Sequence, residues 1–330
     1  MTATGARSPA GDSPPPELVA RFRDALDQLC AFWIDRGKMG LAVSGGPDSL
    51  AMMLLAEAAI PDWFEVATVD HGLRPESAAE CTMVAELCAA RSIPCAVLRV
   101  EVGPGNVQAN ARTARYAALG GWAEERGLAA VATAHHADDQ AETLLMRLNR
   151  GSGLAGLSGI REREWMLGLR TMFIRPLLGT RRRELGEVIA AAGLDPARDP
   201  SNFDERFDRV RVRRFLAESD WLDPLALARS AQLLGEARRG IEHIALEEWE
   251  CRVTEDENGF RYIPRCGARP VEIEIVSAII ERMGGKVPRS EVARLIDRLN
   301  SGESGNLAGV LATVEGDEWV FRREPPRRNP

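Results

Sequence analysis

The sequence predicts an α/β fold in which a doubly wound parallel sheet is followed by a smaller, helical or α+β domain. Short apolar strands alternate with helices of about 10 to 18 residues in the first half of the chain, a pattern typical of βαβ units covered on both faces. Beyond residue 220 the alternation stops, and long helical stretches precede two short strands. The 330 residues are enough for two such domains.

The elements are predicted from helical spacing and from short apolar runs. In the first predicted helix, 17–36, helical spacing connects Leu18, Phe22, Leu26, Leu29 and Phe32. The alternating region is predicted as strand 40–43, helix 48–59, strand 64–69, helix 76–90, strand 95–100, helix 109–126, strand 128–134 and helix 138–148. After the glycine-rich stretch 151–156 we predict strand 165–169, helix 181–192 closed by Gly193, an irregular polar segment over 195–208 and helix 210–218. The remainder is predicted as helices 225–248, 271–283 and 289–299 and strands 309–314 and 318–321.

Composition narrows the class of protein. Residues 1–16 are rich in Pro, Gly, Ser and Thr without the apolar core of a signal peptide, so we expect a disordered leader. No apolar run approaches the ~18 to 20 residues that span a bilayer, and we expect a cytoplasmic protein without a membrane partner. The six cysteines lack C-x-x-C spacing, which favours buried thiols over a metal site.

The charge distribution is compatible both with binding to nucleic acid and with its absence. The net charge of −7 argues weakly against such a partner. Phosphate binding depends, however, on where cations cluster rather than on their sum. Basic stretches occur at 181–183, 206–214 and 322–328. Composition alone therefore does not decide the question.

A glycine-rich loop connects the first predicted strand of the sheet to the helix that follows it. The loop consists of Ser44, Gly45, Gly46, Pro47, Asp48 and Ser49. The free amide groups and the positive dipole end of a helix N-terminus bind anions, and Gly45 and Gly46 let the backbone approach one closely. Pro47 suits a first helical position. Asp48 either caps the helix or holds Mg²⁺ against phosphates.

Histidines and carboxylates are expected at the same edge of the sheet. The carboxyl ends of parallel strands lie on one side, so His71, His135 and His136 should lie beside the loop, because they follow the second and fourth strands. Asp139 and Glu142 are three residues apart and share one face of the next helix. They either complement the helix dipole or bind a cation, which is Mg²⁺ or an ammonium group.

The loop matches the S-G-G-x-D-S motif, and the chain resembles the PP-loop ATP pyrophosphatase superfamily. It matches neither G-x-x-x-x-G-K-[ST] nor G-x-G-x-x-G, which mark other nucleotide-binding folds. The resemblance implies that ATP is cleaved between its α- and β-phosphates. The loop then holds the pyrophosphate, and AMP is the group transferred.

Longer strings narrow the resemblance to the tRNA(Ile)-lysidine synthetase family. They are residues 70–74, 133–144, 149–153 and 199–202, followed by arginines at 209, 211, 213 and 214. The resemblance covers about residues 38–218, and the tail around 307–320 is weakly similar to the family's substrate-binding domain. It implies an ATP-binding catalytic domain over 17–220 and a linker helix with a tRNA- or substrate-binding domain over 221–330. Longer members carry a second C-terminal domain, and this chain is expected to end after the first.

The resemblance also implies the reaction and its participants. ATP adenylates the carbonyl at position 2 of the wobble cytidine in a tRNA(Ile) with a CAU anticodon, and free L-lysine displaces AMP through its ε-amine to form lysidine. Asp48 would hold Mg²⁺ through the phosphates, Asp139 and Glu142 would grip lysine ammonium groups, and His135 or His136 would stabilise phosphate charge or manage protons. A homodimer is the candidate assembly.

Several arginines and two other functions remain as alternatives. Arg112 and Arg150 are further candidates for phosphate contact. Arginines at 206–214 either contact the tRNA backbone or form a solvated helix face. A tRNA thiolase shares the adenylation step but delivers sulfur, usually through paired cysteines, and the missing C-x-x-C argues against it. A regulator that only senses ATP would need the loop without the residues from His135 to Glu142.

Overall fold

The computed structural model describes residues 13–30, 37–73, 75–166, 168–197, 208–265 and 267–324. Most of the predicted leader lies outside these ranges, as do the end of the first predicted helix, the motif at 199–202, Arg206 and Cys266.

A six-stranded sheet forms the centre of the N-terminal part. Its elements in chain order are α1 (Pro16–Cys30), β1 (Met39–Ala42), α2 (Pro47–Ala59), β2 (Phe64–Asp70), α3 (Pro75–Ala90), β3 (Cys95–Arg99), α4 (Val107–Arg126), β4 (Ala130–Ala132), α5 (Ala137–Asn149), α6 (Leu154–Leu157), β5 (Arg163–Trp165), β6 (Met172–Ile174), α7 (Arg182–Ala191) and α8 (Asp208–Glu218). The strand order is β3-β2-β1-β4-β6-β5. The first five strands in this order are parallel. The predicted doubly wound parallel sheet is confirmed.

The prediction of a strand over 165–169 was wrong in its bounds, and this strand lies at the far edge of the sheet. The strand expected over 165–169 is β5, which ends at Trp165 and runs antiparallel to β6. Strand β6 was not predicted, because its three residues Met172–Ile174 are too short a run to show a period. The sheet is therefore mixed, with an antiparallel strand at one edge.

Helices cover both faces of the sheet, and the side chains of each strand alternate between them. Leu41, Ala132 and Ile174 belong to the core shared with α1, α2 and α7. Val131 and Phe173, their neighbours in the chain, pack instead against α4. A side chain that follows β4 can therefore point to the face of the sheet covered by α2 or to the face covered by α4.

The chain reverses direction across the sheet between β1 and β4. From β1 it proceeds to β2 and β3 on one side, and β4 then pairs with the other side of β1. Such a switch point opens a crevice beyond the carboxyl ends of the two strands, where α/β sheets bind their ligands. The loop at 44–49 and the residues after β4 both lie at this position.

A second, antiparallel sheet lies in the C-terminal part. Its elements are α9 (Pro224–Arg252), β7 (Val253–Asp256), β8 (Gly259–Tyr262), α10 (Arg269–Arg282), α11 (Arg289–Asn300), β9 (Gly305–Leu307), β10 (Val310–Glu315) and β11 (Glu318–Arg323). The strand order is β7-β8-β11-β10-β9. Strands β10 and β11 confirm the prediction. Strands β7, β8 and β9 were missed, because they are short and contain few apolar residues.

Contacts divide the chain into two compact units, Met1–Gly235 and Glu236–Pro330. The division falls inside α9. The assignment of 17–220 to ATP chemistry and of 221–330 to substrate binding stays a prediction. Among the described residues, no helix is both long and apolar enough to cross a membrane.

Candidate active site

The loop after β1 has the geometry of an anion site. Gly45 has a φ of +84°, in the region that favours glycine, and an added Cβ would lie 3.1 Å from the side chain of Met83. The hydroxyl of Ser49 accepts a hydrogen bond from the amide of Ser44 at 3.1 Å and donates one to the carbonyl of Gly46 at 3.0 Å. These bonds hold the loop closed on itself. They leave the first amides of α2 at the crevice.

Asp48 does not cap its own helix. Gly46 is the N-cap of α2 and Pro47 follows it, and no side-chain hydrogen bond caps this end. The Oδ2 atom of Asp48 lies 3.5 Å from Nε2 of His136. Its Oδ1 atom is buried without a hydrogen-bond partner among the described residues. A buried carboxylate oxygen without a partner is costly, so this atom fits a cation ligand.

His136 links the loop to the acidic helix. It is the N-cap of α5 and forms a capping box, in which its Nδ1 accepts from the amide of Asp139 and its own amide donates to Asp139 Oδ2. Its ring is fully buried, and Nε2 lies 3.5 Å from a carboxylate oxygen of both Asp48 and Asp139. The sequence predicted that Asp48, His136 and Asp139 lie at one edge of the sheet. In the structure their side chains form one cluster around the His136 ring.

His135 faces the opposite direction. Its Nδ1 lies 3.0 Å from the hydroxyl of Thr133, which continues the α4-facing row of Val131. Burial lowers the pKa of His135 to about 3, and the nearby positive charges include that of Arg175, while Asp139 opposes the shift. The imidazole is therefore neutral near pH 7 and adds no positive charge to the site.

Asp139 and Glu142 meet guanidinium groups. Arg209 donates to Asp139 Oδ1 and to Glu142 Oε2, each at 2.7 Å. Arg213 donates to Glu142 Oε1 at 2.8 Å, and Arg182 lies 3.6 Å from the same oxygen. The Glu142 side chain is only 1% exposed. We call these five residues the acid–arginine cluster.

The charges of this cluster shift the pKa values of Asp139 and Arg209. Burial raises the pKa of Asp139, but the effects of His136 and Arg209 outweigh it and place that pKa below its usual range. Burial lowers the pKa of Arg209, and Asp139 and Glu142 reverse that effect, so that its pKa is raised. Opposite charges in close contact favour the charged form of each partner.

Helix α8 presents two different faces. Arg209 and Arg213 are four residues apart and face α5, as their contacts with Glu142 show. Arg211 and Arg214 are exposed and have acidic neighbours on their own helix, Asp208 at 3.8 Å and Glu218 at 3.9 Å. Among the described arginines of the stretch 206–214, this second pair is the one without a buried carboxylate partner, and it suits the predicted contact with a nucleic-acid backbone. Sequence reasoning treated all the arginines alike, because nothing local indicates which of them has a buried partner.

Three further polar residues have partners elsewhere. Asp138 accepts a hydrogen bond from the amide of Arg182 at 2.7 Å and so joins α5 to the start of α7. His71 accepts a bond from the amide of Leu73 in the exposed turn after β2. Arg150 pairs with Asp208 at 3.0 Å on the surface. None of these three contacts involves the loop at 44–49.

Comparison with known proteins agrees with the fold and with the motifs. A family model described as a PP-loop domain matches residues 18–219. The tRNA(Ile)-lysidine synthase of Novosphingobium aromaticivorans is 46% identical over 89% of this chain and 91% of its own length. The enzyme of the same name from Zymomonas mobilis is 39% identical over 95% of this chain and 96% of its own length.

A solved structure shares the fold at lower similarity. The U34-tRNA thiolase of Methanococcus maripaludis, solved with its [4Fe-4S] cluster, superposes with a TM-score of 0.53 over 67% of this chain and 81% of its own. Its sequence is 16% identical, so the likeness concerns the fold alone. Since the family model and the curated relatives agree over most of the length, the chain belongs to the tRNA(Ile)-lysidine synthase family and carries its PP-loop domain.

Proposed function

We propose that the protein joins L-lysine to the wobble cytidine of a tRNA(Ile) with a CAU anticodon, at the expense of ATP. The observation that carries the proposal is the position of His136, whose Nε2 lies 3.5 Å from Asp48 and 3.5 Å from Asp139. A phosphate-binding loop and a buried acidic pair thus share one crevice. The first suits the activation of a carbonyl by ATP, and the second suits an amine as the attacking group.

The first step activates the base. The oxygen on C2 of the cytosine attacks the α-phosphorus, the bond to the β-phosphate breaks, and pyrophosphate leaves. The loop at 44–49 binds the departing pyrophosphate through backbone amides, with Gly45 allowing the close approach. In the second step the ε-amine of lysine attacks C2, AMP leaves with the former carbonyl oxygen, and the nitrogen releases its proton.

The residues present fit a magnesium ion. Mg²⁺ usually takes one or two carboxylates and completes its shell with substrate phosphates and water. Asp48 offers Oδ1, which is buried and has no hydrogen-bond partner among the described residues. When bound, the ion would neutralise charge on the phosphates. Asp48 is the residue that would hold it.

The lysine site depends on the acid–arginine cluster. As described, Arg209 and Arg213 occupy the oxygens of Glu142 that an ammonium group would use. The phosphates of ATP supply a second anion for these guanidinium groups, whose planar fork matches the geometry of both phosphate and carboxylate. We infer that ATP draws the arginines towards its phosphates and leaves Asp139 and Glu142 to the lysine.

Lysine is therefore expected to bind about tenfold more tightly in the presence of ATP, which is a coupling free energy of about 1.4 kcal/mol. Isothermal titration of the full chain with lysine, with and without a non-hydrolysable ATP analogue, measures this difference. Norleucine, which lacks the ε-amine, is the matched ligand and should show no such gain. Equal lysine affinities in both titrations would contradict the exchange of partners.

The thiolase alternative is disfavoured by where the cysteines lie. Among the described cysteines of the sheet region, Cys95 begins β3 at the end of the sheet opposite to the crevice, Cys88 is buried along α3, and Cys81 is buried with its Sγ 3.4 Å from the hydroxyl of Thr68. A sulfur carrier needs a thiol at the reacting atoms, at the carboxyl ends of the strands. The cytoplasmic location and the homodimer stay predictions from the sequence.

The decisive assay combines the protein, ATP, radiolabelled lysine and a tRNA(Ile) transcript with a CAU anticodon. We expect label in the tRNA and one AMP released per lysine incorporated. A transcript with uridine at the wobble position is the control and should remain unlabelled. If a sulfur donor modifies the tRNA while lysine does not, the proposed function fails in favour of the thiolase.

A further inference from the structure

Two arginines of α4 stand out because they lack an acidic partner. Arg112 and Arg115 pair with no carboxylate among the described residues, whereas Arg175, Arg209 and Arg213 all do. Burial lowers the pKa of Arg115, and the positive charges of Arg112 and Arg175 lower it further. Uncompensated guanidinium groups that repel one another are costly unless an anion joins them.

Packing holds these groups together. Both Arg112 and Arg115 lie against the ring of Tyr116, at 4.8 and 5.3 Å from its centroid, and Arg112 donates to the Tyr116 hydroxyl at 3.3 Å. The ring packs edge-on against Phe173, two residues before Arg175. The arginines are therefore positioned on a rigid base at the carboxyl end of β6.

Arg175 completes the group from the sheet. Its side chain is almost fully buried, donating to the carbonyl of Arg161 and to Glu164, each at 2.6 Å. Its Nε atom is buried without a hydrogen-bond partner among the described residues. We call Arg112, Arg115 and Arg175 the α4 arginine cluster. Within it, the side chain of Arg112 is exposed to solvent, that of Arg115 is half-buried and that of Arg175 is buried.

The cluster lies on the face of the sheet opposite to the pyrophosphate loop. Phe173 and Tyr116 belong to the α4-side core, whereas α2, which begins at the loop, belongs to the other. The two histidines repeat this division, since His136 approaches Asp48 while His135 contacts Thr133 on the α4 side. The reacting edge thus has one anion site on each face.

We propose that the α4 arginine cluster binds a backbone phosphate of the tRNA next to the reacting nucleotide. The loop already accounts for the pyrophosphate of ATP, and a second polyanion must reach the same edge. A row of guanidinium groups that leads from solvent inward suits a flexible phosphodiester chain. The inference rests on the proposed function, because that function makes RNA the second substrate.

The test measures tRNA binding at several salt concentrations. Arg112→Gln in the full chain should weaken binding of the tRNA(Ile) transcript about tenfold. It should also reduce the slope of log affinity against log salt by about 0.7, the value for one lost phosphate contact on a single strand. Arg112→Lys, which keeps the charge, should restore most of the slope. Binding of the ATP analogue without tRNA should not change.

Arg126→Gln is the matched control. Arg126 lies at the other end of α4, is exposed and already pairs with Glu65 at 2.9 Å, so the tRNA slope should remain that of the wild type. Loss of ATP-analogue affinity in Arg112→Gln, alone or together with tRNA affinity, would overturn the inference, as would an unchanged slope. Failure of lysine incorporation by the wild-type protein, with the slope effect intact, would count against the proposed function only.

Discussion

Asp48→Asn is expected to lower the rate of tRNA-dependent AMP formation about a thousandfold, the upper range for removing one electrostatic group from a site of developing charge. The substitution keeps the shape of the side chain and removes its negative charge. The buried Oδ1, which has no hydrogen-bond partner among the described residues, then ceases to be a strong cation ligand. Release of pyrophosphate in the presence of saturating tRNA and magnesium measures the effect.

Stability should hardly change in this variant, because no hydrogen bond of the helix N-terminus uses Asp48. Asp27→Asn is a suitable control, since Asp27 is exposed on α1 and pairs with Arg23 at 3.7 Å. It should release pyrophosphate at the wild-type rate. Activity of Asp48→Asn within tenfold of wild type would remove Asp48 from its assigned role.

Glu142→Ala is expected to lower the free energy of unfolding by about 3 kcal/mol or more, the cost of breaking a buried ion pair. Its carboxylate is 1% exposed and contacts Arg182, Arg209 and Arg213. Removing it leaves these guanidinium groups packed together without their main counter-charge. Urea denaturation followed by circular dichroism measures the difference.

Glu57→Ala provides the comparison for a partly exposed ion pair. Glu57 meets Arg91 at 2.7 Å with its side chain 36% exposed, and the loss should be no more than about 1 kcal/mol. Equal losses in the free energy of unfolding for Glu142→Ala and Glu57→Ala would show that the acid–arginine cluster does not stabilise the fold more than a partly exposed ion pair.

The conservative variant Glu142→Gln separates the functional role from the structural one. It keeps the volume of the side chain and one acceptor oxygen, and it replaces the negative charge and the other acceptor by an amide NH2 group. We expect the KM for lysine to rise clearly more than the KM for ATP, because an ammonium group needs the carboxylate. An equal rise in both constants would remove Glu142 from the lysine site.

The repeating half of the fold was predictable because its signals are local. The strand before Ser44 is a short apolar run and the helix that follows is a longer one, and parallel pairing follows from the alternation of strands and helices. The strands that escaped prediction are three or four residues long. Strand β8 buries only Phe260 and Tyr262, so its stability comes from pairing with β11, which is distant in the chain.

In the candidate site, too, the locally specified features were predictable and the contacts between distant residues were not. By itself the sequence determined the loop at 44–49, the sheet edge at which His135 and His136 lie, and the shared helical face of Asp139 and Glu142, because a motif or a short period specifies each one. Only the tertiary structure decided that Arg209 and Arg213, about 70 residues further along the chain, neutralise those carboxylates. It also decided that Arg112 and Arg115 pair with no carboxylate among the described residues. Local periodicity determines which way a side chain points, whereas its partner depends on how distant elements pack.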